Sequence, residues 1–145
     1  MSDALLGDDL NELMAMETHG LLTFLEASTP YVTPAMLKAW AGLKAMAAGA
    51  AQRAAKITAM LQVIEAPVRA ASFETDVASL HYASLEKLLP RLAKENRQQV
   101  EAAQRAVDHA SEHPEMRATL EAMLAEHRKQ QAWLEKQPGA GAGAS

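Results

Sequence analysis

Residues 116–134 read MRATLEAMLAEHRKQQAWL, and every third or fourth position falls on one helical face: Met116, Leu120, Met123, His127, Gln130, Leu134. Spacing of this kind marks an α-helix that buries one stripe. The stripe is apolar at both ends and polar in the middle. Residues 85–102 repeat the pattern as Leu85, Leu88, Leu92, Glu95, Gln99, Ala102, and residues 6–24 as Leu6, Leu10, Leu13, Glu17, Gly20, Phe24. One stretch stays apolar throughout, Met36, Trp40, Leu43, Ala47, Ala50, Ala54, Ile57, Leu61, Ile64, and its centre shrinks to alanine. Four such helical stretches, three of them polar near the middle, predict an all-α four-helix bundle. Buried polar groups are costly unless paired, so that level is where function is sought.

Pro and Gly clusters divide the chain. Helix 1 is expected to open near Asp8 or Asp9, where a carboxylate favours the N-terminal end, and to stop near Ala27 before Ser28-Thr29-Pro30. Thr33-Pro34 pairs a cap residue with a first-turn proline and starts helix 2, which runs to about Ile64. Pro90 predicts a break or kink, with Thr75–Leu88 as a separate segment or the leading part of helix 3, which continues to about Ala110. Helix 4 spans about Pro114 to Lys136. Short turns make helices 1 and 2, and helices 3 and 4, antiparallel hairpins. Residues 65–84 either cross the length of the bundle or extend helix 3 into a kinked up-down bundle; the crossover is preferred. Residues 1–137 then form one domain, and the Gly/Ala-rich 138–145 a flexible tail.

Composition narrows the function classes. The 145 residues carry a net charge of −4 with no basic stripe for nucleic acid, and no cysteine for disulfides, thiolate metal sites or thiol catalysis. No apolar run approaches membrane-spanning length, and Met1–Asp9 holds three acids and no base, unlike a signal peptide. A cytoplasmic protein without membrane or nucleic-acid partners is expected. No phosphate loop, serine constellation or zinc-protease pattern occurs.

The two halves echo each other. Glu17 precedes Ala50 by 33 positions, and Glu95 precedes His127 by 32. Leu10-Asn11-Glu12-Leu13 through Glu17, Arg91–Glu95 around Glu95, and Ala125–Glu135 with its Trp-Leu-Glu ending resemble helices of the ferritin-like superfamily, its bacterioferritin-like and rubrerythrin-like members in particular. That resemblance implies a di-metal site with one Glu from each of two helices and Glu-x-x-His from each partner. Carried over residue by residue, Glu17 and Glu95 match the single-Glu positions. Ala50 and Arg53 stand where helix 2 should read Glu and His, and His127 and Gln130 where helix 4 should. Ala51 stands where a haem-ligating Met would be expected.

Two readings follow. In the leading one the chain is a non-enzymatic ferritin-like bundle, without cofactor, acting in binding or assembly as a homodimer; Arg53 or His127 neutralises the two carboxylates. In the alternative, Glu17, Glu95 and His127 form a single-ion site for Fe, Mn or Zn in a metal-binding or redox protein. If the layer is structural, removing the Glu17 and Glu95 charges is expected to leave a folded protein of equal or greater stability. The methionines are expected in the core, Trp40 and Trp133 as partly buried anchors, His19 at the surface or a subunit interface, and His109 and His113 in solvent. His81 lies in the undecided connection.

Overall fold

The computed structural model describes residues 2–22, 25, 32–69 and 85–137. Among them every regular element is helical: α1 (Ser2–His19), a 3-10 turn (Pro34–Met36), α2 (Leu37–Ala48), α3 (Ala50–Val63), α4 (Leu85–His109) and α5 (Pro114–Glu135). Gly49, still in right-handed helical geometry, separates α2 from α3. The two act as one arm, and four helical rods pack together.

Several element ends differ from the sequence expectation. Helix α1 begins at Ser2, not near Asp8 or Asp9, because Leu6 is fully buried and draws the preceding turn into the helix. It also stops at Gly20 rather than running through it. There the Leu21 N–H leaves the helical ladder and donates to Glu95 Oε1 at 3.1 Å. A Cβ at Gly20 would strike the Met16 carbonyl oxygen, so this close turn requires glycine. Leu21, Leu22 and Leu25 are again helical; Phe24 and the expected stop near Ala27 lie outside the described residues. Thr33 starts the next arm with its carbonyl, which accepts the Met36 N–H at 2.9 Å, while its hydroxyl makes no cap.

Pro90 sits inside α4, which continues through it: of the break or kink expected there the helix shows no break, and residues 85–88 are its leading part. Leu85, Leu88, Leu89 and Leu92 flank the proline and are all buried. Burying a leucine contributes about 1.5–3 kcal/mol, so four of them outweigh the roughly 3 kcal/mol an interior proline costs. The segment expected from Thr75, His81 and the tail 138–145 fall outside the described residues.

Cross-helix pairs fix the directions. Helix α1 runs antiparallel to α3, with Glu17 beside Arg53 and Gly7 beside Ala66. It is also antiparallel to α4: Leu21 meets Glu95, Glu12 meets Arg105 and Asp9 meets His109. The hydrogen bond to Glu12 raises the Arg105 pKa above its ordinary value, with Glu12, Asp9 and Glu101 charges adding and burial opposing. Helices α4 and α5 are joined by a tight turn in which His113 N–H donates to Ala110 O. It follows that α3 and α4 run parallel. Helix α3 ends beside Gly7, whereas α4 begins among Leu21 and Leu25 at the opposite end. The connection between them therefore joins opposite ends of the bundle.

Its first residues are laid against α1. The α3 terminus closes with Ala66 N–H donating to Leu61 O and Glu65 N–H to Gln62 O, the paired bonds of a Schellman motif. Glu65 occupies the left-handed position, φ 56°. Asn11 then accepts the Arg69 N–H at 2.8 Å and donates to Pro67 O at 3.0 Å. A side chain in left-handed geometry carries a penalty of about 1–2 kcal/mol that glycine avoids. Glu65→Gly is expected to raise stability by about 0.5–1 kcal/mol after its greater unfolded-state entropy is counted, read as a higher midpoint in urea.

The core falls into two clusters. One gathers Leu6, Leu10, Leu13, Ile57, Leu61, Val107, Leu120 and their neighbours, the other Leu21, Leu43, Leu85, Leu88, Leu89, Leu134 and theirs. Met14, Met16, Met36, Met60, Met116 and Met123 are buried as expected, and Trp40 and Trp133 are half-buried. The Trp133 ring lies where a Cβ at Gly42 would be, which closes α2 against α5. His109 and His113, expected in solvent, instead pair with Asp9 at 2.6 Å and Asp3 at 2.8 Å. Antiparallel packing of α1 on α4 brings Asp9 to His109, and the extension of α1 back to Ser2 adds Asp3 beside His113.

Candidate functional site

Between the two apolar clusters lies a level of buried polar side chains: Glu17, Arg53, Asn96, His127 and Gln130. Glu17, His127 and Gln130 lie on the stripes that carry leucine or methionine a turn away, and Arg53 and Asn96 stand beside theirs. The seam spacing thus places four different helices' polar residues at one height.

Glu17 Oε1 is the hub. It accepts Arg53 Nε at 2.8 Å and Gln99 Nε2 at 3.3 Å, and His127 Nε2 stands 3.2 Å away. Arg53 also donates Nη1 to Glu126 Oε1 at 2.9 Å and Nη2 to Met46 O at 3.4 Å. Its head thereby folds back over Gly49, where an added Cβ would press on Nη1. That is the close approach for which the arm gives up a side chain. Glu17 and Arg53 are almost fully buried, at 4% and 5% exposure, while the Glu126 side chain is half in solvent.

Both ring nitrogens of His127 face oxygen. Nδ1 lies 3.0 Å from Gln130 Oε1 and Nε2 faces Glu17. An imidazolium donates to both; a neutral ring satisfies both when the Gln130 amide is turned so that its NH2 faces Nδ1. Asn96 completes the level by donating to His127 O and Gln131 Oε1, each at 2.9 Å.

Of the residues the sequence singles out, Glu17 and His127 come together and are buried. Glu95 is half-buried and uses Oε1 on the Leu21 N–H. It lines, with Glu17, Arg53, Asn96 and Gln99, a cavity of about 30 Å³. That space accommodates one or two waters. His19 is exposed. Glu126 and Asn96 are the members that stripe reading misses. Glu126 lies off the seam and is reached only by the long Arg53 side chain, and Asn96 sits beside the seam, not on it.

Among the described residues, no three His, Asp or Glu side chains are grouped as ion ligands. Arg53 Nε stands beside the Glu17 oxygen that faces His127, so a cation there would have to displace a paired guanidinium. No described helix is long and apolar enough to cross a membrane. Comparison with family models, with curated proteins and with solved structures found no match for this chain.

Proposed function

We propose that the protein is a non-enzymatic ferritin-like bundle in which a salt-bridged polar layer stands in place of the di-metal ligands, and that it acts in binding or assembly as a homodimer. The observation that carries this reading is Arg53. It stands where the family resemblance expects the helix 2 histidine, and it presents a buried cation, 2.8 Å from Glu17, to the position a metal would need. Parallel α3 and α4, with a connection joining opposite ends, support the crossover course of ferritin-like bundles. The outer side of the α2–α3 arm supports the dimer: Ala41, Ala48 and Ala55 are exposed along it with Leu37, so a second copy can approach closely. The reading places the protein in the cytoplasm, without nucleic-acid or membrane partners.

Elemental analysis of protein purified without chelator tests it. Iron, manganese and zinc are each expected well below one equivalent, and a chelator is expected to leave the thermal midpoint unchanged. One equivalent of any of them, lost together with stability on chelation, overturns the proposal in favour of an ion held by Glu17, Glu95 and His127.

A further inference from the structure

Away from the polar layer, α3 and the start of α5 stand apart and leave a groove of about 750 Å³. Sites for small organic ligands commonly measure about 300–1,000 Å³. Buried Met60 and Met116 line it, and methionine adapts its shape to varied apolar partners. Val63 stands beside them at 69% exposure, the most exposed of the chain's large apolar side chains among the described residues.

The charges along the groove are sorted. Helices α3 and α5 are antiparallel, with Arg53 opposite Glu126 and Val63 near the start of α5. Lys56 therefore lies toward the middle of the bundle, and Glu112 and Glu115 at its end. No carboxylate among the described residues pairs with Lys56. Seven residues of helix separate Lys56 from Val63, about 10 Å at 1.5 Å per residue.

We infer that this groove binds a small amphipathic anion, a medium-chain carboxylate, with its head group on Lys56 and its apolar body laid over Met60, Met116 and Val63. The two glutamates at the far end repel the head group and so set the ligand's direction. A cationic amphiphile would instead place its charge against Lys56 or reverse its course. The inference adds a ligand class to the binding role proposed above, but uses none of the residues of the polar layer.

Fluorescence titration with anilinonaphthalene sulfonate, an apolar anion, is the test. The full-length protein is expected to bind one equivalent, displaced by decanoate and not by acetate, which carries the head group without the apolar body. Lys56→Glu and Val63→Asp, both at exposed positions, are each expected to weaken binding about tenfold or more. Cooperative melting near the wild-type midpoint shows that each variant is folded; Lys56→Gln serves as a second, milder variant. The inference is overturned by absence of binding, or by binding that these variants leave unchanged. It is equally overturned if sedimentation shows a dimer that covers the groove and that Val63→Asp dissociates. That last outcome would keep the assembly reading while removing the ligand.

Discussion

Replacing Arg53 with methionine should cost about 3–5 kcal/mol of folding stability, the loss expected when one member of a buried ion pair is removed. Glu17 would keep Gln99 at 3.3 Å and the His127 ring at 3.2 Å but lose Arg53 Nε at 2.8 Å, the permanently charged donor among these three. A carboxylate at 4% exposure is cut off from bulk solvent, and a water in the small cavity beside it would replace a charged donor with a neutral one. Glu17→Leu alone should also destabilise, because among the described residues Arg53 would keep as counter-ion only Glu126, whose side chain is half in solvent, beside its bond to Met46 O. Combining the two changes removes both charges and should recover most of the loss. Urea unfolding of the four proteins in a double-mutant cycle reads the coupling directly. If Arg53→Met alone stays within about 0.5 kcal/mol of wild type, the pair is not the structural centre of this layer.

The same geometry reverses an expectation drawn from the sequence. With Glu17 and Glu95 viewed as two carboxylates facing each other, removing their charges should be neutral or stabilising. Glu17 is instead the counter-ion of a buried arginine, and Glu95 bonds a free backbone N–H where α1 breaks. Neutralising Glu17 leaves the guanidinium with Glu126, half in solvent, as its described counter-ion, so Glu17→Gln with Glu95→Gln is expected to be destabilising in this arrangement.

How far the chain can be read follows from the range of each interaction. The stripes of α4 and α5 were legible because leucine and methionine recur at helical spacing, and Pro114 marks the start of α5. The height of the polar level followed from the same spacing, which puts Glu17 and His127 on the seam. What the spacing does not encode is reach. Arg53 crosses from its own arm to Glu17 on one neighbour and Glu126 on another, and only three-dimensional placement chooses those partners. The pair of His113 with Asp3 depends on an extra stretch of α1 before Asp8. That stretch forms because Leu6 is buried by other helices, a tertiary effect that overrides the local cap signal.

Pro90 is the sharpest conflict between local preference and packing, and it makes a measurable claim. In α4 the proline lacks the N–H that would bond the carbonyl four residues back, on Glu86, and its ring crowds that turn. Pro90→Ala should therefore stabilise the protein by about 1–3 kcal/mol, the upper figure being the full difference in helix propensity between the two residues. The gain should appear as a higher urea midpoint with an unchanged slope, because the folded surface is the same. The competing arrangement, a helix that begins at the proline, predicts the opposite. Proline is favoured in a first turn, where its missing N–H is not needed, and replacing it there would bring no gain. Leu88→Ala separates the two further. Leu88 is 1% exposed within the core cluster that holds Leu21 and Leu43. If its burial keeps the turn before Pro90 helical, truncating it should cost about 2–5 kcal/mol. In the Pro90→Ala background the cost should be smaller, since the backbone would no longer rely on leucine packing to stay helical.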